Sequence, residues 1–81
     1  MAKTHEVNLT SSLFSSVRDN NYYITKNNDY EVEDYVLFNE VETVDESVQQ
    51  TGVNKMTRIK DVISNEGLKD EYVLLFLTSL S

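Results

Sequence analysis

No cysteine occurs in the chain, which excludes a disulfide and a thiolate zinc site. Proline is absent too, and glycine occurs only at Gly52 and Gly67. Turns must therefore come mainly from Asn and Asp, which tolerate the left-handed conformation and hydrogen-bond their own backbone. Asn20-Asn21 and Asn27-Asn28-Asp29 are the best such signals. Long hydrophobic runs are missing: the longest, Tyr72 to Leu77, is far short of a membrane span. The opening MAKTHEVNLT has no apolar stretch of the kind a signal peptide needs. The expected setting is soluble and cytoplasmic.

Positive charge is missing from the middle of the chain. Between Asn27 and Asn54 lie eight acids (Asp29, Glu31, Glu33, Asp34, Glu40, Glu42, Asp45, Glu46) and no Lys or Arg. The remainder holds six acids and seven bases, so it is near neutral. The net charge of −7 therefore resides in one contiguous third. Such a balance repels a phosphate backbone at long range and attracts basic partners.

With 81 residues, 40% of them hydrophobic, the sequence supports one domain over residues 1–81 with a small core. His5 to Leu9 alternates as a short strand. Thr10, Ser11 and Ser12 are N-cap residues ahead of Leu13, Phe14 and Val17, which share a helical face, so Ser11 to Asp19 is predicted helical. Tyr22 to Lys26 and Tyr35 to Val41 read as strands, with Tyr35, Leu37 and Val41 on one side and Val36 and Phe38 on the other. Lys55 to Ile63 also alternates, placing Thr57, Ile59 and Ile63 opposite Met56, Arg58, Lys60 and Val62. Thr43 to Asn54 is polar with little periodicity and reads as a loop. Ser64 to Lys69 reads as a turn around Gly67. Tyr72 to Leu80 is apolar on both faces, so periodicity alone leaves a helix open, but Tyr, Val, Phe and Thr favour a central or barrel-closing strand. The predicted fold is mostly β with one short helix, order β-α-β-β-β-β, as a small bent sheet or barrel.

Thr4-His5, Lys26-Asn27, Val32-Glu33-Asp34 and Gly67-Leu68, with strands between them, carry a resemblance. The chain is similar over nearly its whole length to the ASCH domain family of PUA-like barrels, in its short, often phage-encoded branch of unknown function. The resemblance implies a PUA/ASCH-like barrel, an RNA-associated role, and in some members nucleoside amidohydrolysis. This chain departs from the pattern in two places. Tyr22-Tyr23-Ile24-Thr25 stands where the family has Phe-Glu-Ile-Arg, so its acid and guanidinium are Tyr23 and Thr25 here. Glu33 stands where the family has Gly.

Each candidate has a plainer reading beside it. His5 has only Thr4 and Glu6 as sequence neighbours, both on the opposite strand face, so a structural histidine is expected more often than a catalytic one. Lys26, next to an Asn-Asn-Asp turn, is more often a solvated turn lysine. Asp29, Glu31, Glu33 and Asp34 lack the Asp-x-Asp-x-Asp-Gly calcium loop, so no metal site or other cofactor is expected. Lys55, Arg58 and Lys60 are the only basic cluster, with Arg58 and Lys60 on one strand face, but Asp61 interrupts it. The tyrosines are expected to pack on the barrel more than to stack nucleobases.

The sequence therefore predicts a non-enzymatic acidic binding protein. It would engage the basic surface of a nucleic-acid-binding protein as a DNA mimic or inhibitor, through Asp29, Glu31, Glu33, Asp34, Glu40, Glu42, Asp45 and Glu46, with Tyr30 or Tyr35 as anchors. Small acidic phage proteins that block host DNA-binding proteins are similar in size and charge. The alternative is an RNA-associated ASCH-like module using Lys26, Lys55, Arg58 and Lys60.

Overall fold

A computed structural model describes residues 2–27, 29–64 and 71–80. The elements run in the order expected: β1 (Thr4–Thr10), α1 (Ser11–Asn20), β2 (Tyr22–Lys26), β3 (Tyr35–Val44), β4 (Ser47–Ser64) and β5 (Tyr72–Ser79). They form one five-stranded mixed sheet, ordered β1-β3-β4-β5-β2. β1 lies parallel to β3, and the other neighbours are antiparallel. β5 is interior, as its apolar composition predicts. The proposed turn at Ser64 to Lys69 lies, beyond Ser64, outside the described residues.

Alternation builds the core on one face of the sheet. Leu9, Val36, Phe38, Ile59, Val73, Leu75 and Leu77 are buried there and are covered by Phe14 and Val17 of α1. Tyr23, Tyr30, Val7 and Val62 pack around them. The sheet bends strongly but remains open. Tyr23 on β2 meets Phe38 on β3 edge to face at 5.3 Å, although three strand spacings, roughly 14 Å when flat, separate these strands in the sheet order.

Helix α1 begins at Thr10, whose extended backbone serves as N-cap without a side-chain capping bond. It ends at Asn21, which adopts φ 59 and donates its N–H to the Val17 carbonyl. This is the job expected of the Asn20-Asn21 signal. Asp29 (φ 56), within the second turn signal, is also left-handed.

Two expectations are corrected. The predicted loop at Thr43 to Asn54 is a hairpin. β3 continues to Val44, Asp45 and Glu46 turn the chain with φ of 49 and 67, and β4 starts at Ser47. Positive φ at both central residues is the two-residue hairpin geometry whose twist matches the flanking strands. In β4 the face assignment changes at a bulge between Ile59 and Asp61. The extra residue, Lys60, puts Val62 opposite Leu75 on the core side and Ile63 on the outer side, the reverse of simple alternation.

Candidate functional site

The acids contiguous in sequence divide in space. Asp29, Glu31 and Glu33 lie in the connection before β3 and are exposed. Glu40, Glu42, Asp45 and Glu46 lie on the distal half of β3 and its turn. Glu33 and Glu40, the nearest members of the two groups, are seven residues apart, at most roughly 23 Å of extended chain, and Asp45 and Glu46 lie farther along β3 at its turn.

The distal group sits on an arm. β1 ends opposite Val41, and β4 pairs with β5 only from Thr57 onward. Beyond those points β3 and β4 have only each other. Residues 42–50 are all exposed, including Val44 at 40% and Val48 at 68%. Glu40 marks the root of the arm. The register shifts there, three residues of β4 (Thr51, Gly52, Val53) facing it, and the Thr51 hydroxyl donates to Glu40 Oε1 at 2.8 Å. Gly52 takes φ 92 in this irregularity. Alternation along β3 places Glu40 and Glu42 on one face, about 6.8 Å apart, leading to the acidic tip. No Lys or Arg lies on the arm.

Asp34 does not belong to this surface. It is 2% exposed, on the core side of the sheet, and its carboxylate collects three donors. The Lys3 backbone N–H donates to Oδ1 at 3.0 Å, the Glu31 backbone N–H to Oδ2 at 3.2 Å, and His5 Nε2–H to Oδ2 at 2.9 Å. A carboxylate only accepts, so the Nε2 proton is required. The hydrogen bond from His5, then that from Lys3, hold the Asp34 pKa below its ordinary value against the opposing effect of burial. The Tyr30 ring closes over His5 at 4.5 Å. Burial, and then the neighbouring Tyr23, push the Tyr30 phenol up, opposed by a hydrogen bond with Thr25.

This clamp ties β1 to the start of β3 and uses Asp34 and Tyr30 structurally. Asp34 and Tyr30 are expected on the partner surface because both fall in the acidic run, whereas the partner that draws Asp34 inward, His5, lies 29 residues away in sequence. Tyr35, the other proposed anchor, is half-buried on the outer face, opposite Thr4 and Arg58.

The basic residues do not form one site. Arg58 and Lys60 share a shallow groove with Glu33 and Thr78 on the outer side, where Glu33 Oε1 lies 3.4 Å from the Arg58 guanidinium. Lys55 points to the opposite face and donates to the Ser79 hydroxyl at 2.8 Å. Lys26 pairs with Tyr72, whereas Arg58 pairs with Thr78, so roughly 20 Å of β5 separates them. Among the described residues, no group of three or more His, Asp or Glu side chains is placed to hold a metal ion. No helix among them is long and apolar enough to cross a membrane.

These geometries stand without a named relative: no protein-family model matches the chain, and no curated protein matches it.

Proposed function

We propose that this chain is a non-enzymatic, cytoplasmic binding protein whose acidic hairpin arm engages the basic surface of a nucleic-acid-binding protein. The carrying observation is the arm itself: every residue from 42 to 50 is exposed, with Glu42, Asp45 and Glu46 on it, Glu40 at its root, and no base among them. A projecting ribbon with charge of one sign is attracted to a basic cleft and can enter it. Exposed Val44 and Val48 add apolar contact once the charges have aligned the pair.

Charge density defines what kind of mimic this is. Four acids lie between Glu40 and the turn at Asp45-Glu46, roughly 17 Å along the arm, or one charge per about 4 Å. Duplex DNA carries one per about 1.7 Å of axis. The arm therefore competes for a local basic patch and does not imitate a full phosphate track. The loop acids Asp29, Glu31 and Glu33 are too distant to join the same small contact.

The test is a pull-down from bacterial lysate at low and high salt, with and without nuclease. Nuclease-resistant recovery of a basic nucleic-acid-binding protein is expected, lost at high salt. It should be lost equally with Glu40→Gln, Glu42→Gln, Asp45→Asn and Glu46→Gln combined, and kept with Asp29→Asn, Glu31→Gln and Glu33→Gln combined. Recovery indifferent to salt, or surviving the arm changes, overturns the reading. Nuclease-sensitive recovery of RNA that falls with Lys26→Ala or Arg58→Ala would instead support the RNA-associated module.

A further inference from the structure

The chain carries a second surface, independent of the arm, at the β2 edge of the sheet. β2 pairs with β5 on one side, and among the described residues no strand pairs with its other side. Two hydrogen bonds fix which backbone groups are free. The Asn27 N–H donates to the Glu71 carbonyl, and the Leu77 N–H donates to the Asn21 carbonyl. Odd-numbered residues of this strand therefore address β5. The N–H and C=O groups of Tyr22, Ile24 and Lys26 point outward, away from the sheet.

The side chains of these same three residues lie exposed on the outer face, beside Phe76 of β5. Helix α1 packs chiefly against β1 and β3 and touches β2 less. Leu13 of α1, 54% exposed, lines a groove with Tyr22 and Ile24 along that edge. An uncovered edge strand with apolar neighbours is a template for strand addition.

We infer that the β2 edge pairs antiparallel with the β2 edge of a second copy of this chain, forming a two-fold dimer with one continuous sheet. Two observations select a second copy as the occupant. First, the strand is self-complementary about Ile24. Two-fold pairing sets Ile24 opposite Ile24, and Tyr22 opposite Lys26 of the other copy. Each of these three residues then exchanges both backbone bonds with its opposite number. On the outer face the lysine ammonium meets a tyrosine ring at both ends of the ladder. Second, β2 and β5 contain no acid and only one charged residue, Lys26. Along the paired strands themselves two chains of net charge −7 therefore meet without acid facing acid, and the nearest acids, Asp19 and Asp29, lie beyond the strand ends.

The contact is short, so association is weak and concentration-dependent. It also responds to salt in the opposite sense from the arm. Screening relieves repulsion between two like-charged chains, so dimerisation strengthens as salt rises, whereas binding of a basic partner weakens.

Sedimentation over a concentration series, at low and high salt, tests this. The full chain is expected to dimerise, more tightly at high salt. Ile24→Lys, at a 49% exposed position, should raise the dissociation constant about ten-fold or more by placing like charges opposite each other. Mixing Ile24→Lys with Ile24→Glu should restore a heterodimer, which also shows that both variants are folded. A wild-type chain that stays monomeric at millimolar concentration, or a dimer indifferent to Ile24→Lys, overturns the inference. So does failure of the two variants to pair while each has the circular dichroism of the wild type.

Discussion

Asp34 shows how one side chain can join distant parts of a small fold. A buried carboxylate without partners would be strongly destabilising. Here three donors from the N-terminal strand and the preceding turn satisfy it. Its pKa is lowered on folding, so its contribution is fully present above the unfolded value of about 3.9 and is lost as pH falls through the lower folded value. Asp34→Asn keeps the shape but removes the charged acceptor facing His5. It should cost about 1–3 kcal/mol at neutral pH by urea unfolding, a gap that narrows as the pH is taken below 4. A gap unchanged across that range would show that the bonds to Asp34 do not depend on its charge.

At the scale of elements, the sequence reading succeeds where alternation is regular and fails where a single residue breaks it. β1, β2, the helix and the near half of β3 follow from periodicity and Asn turn signals, and β5 follows from its strand-favouring Tyr, Val, Phe and Thr. Lys60 reverses the faces of Val62 and Ile63 because a bulge changes parity without any compositional mark. The arm was hidden for a different reason. Its strands are polar on both faces, and it turns on Asp45-Glu46 where Asn-Gly is the usual signal. The candidate site was legible as charge, but its division came from folding: β3 carries four acids away from the other four. The arm turn is also strained. A non-glycine residue at φ 67 pays a steric cost of about 1 kcal/mol. Asp45→Asn with Glu46→Gly should therefore raise stability by roughly 1 kcal/mol in thermal or urea unfolding. It should also weaken partner binding by removing two tip charges. Destabilisation by this pair would mean that the turn differs from the geometry described.

For the whole molecule, the distribution of charge sets how salt acts on stability. The ion pairs seen are exposed: Arg18–Asp19, and Arg58–Glu33 at 3.4 Å. Each contributes little, so screening them costs little. The net charge of −7 opposes compaction, and most of that repulsion arises among acids within a few Debye lengths of one another. The balance predicts that the melting temperature rises as sodium chloride is increased from low ionic strength toward about 0.15 M, where the Debye length is about 8 Å. The clamp at Asp34 is buried and is screened much less, so it does not offset this gain. Neutralising Glu42, Asp45 and Glu46 to Gln, Asn and Gln should remove part of the salt response. It should change stability by no more than about 0.5 kcal/mol at moderate salt, because these side chains are exposed. Calorimetry of wild type and variant at two salt concentrations measures both effects. A wild-type melting temperature that falls with salt would show that attractive pairs, and not net repulsion, dominate the electrostatics of this fold.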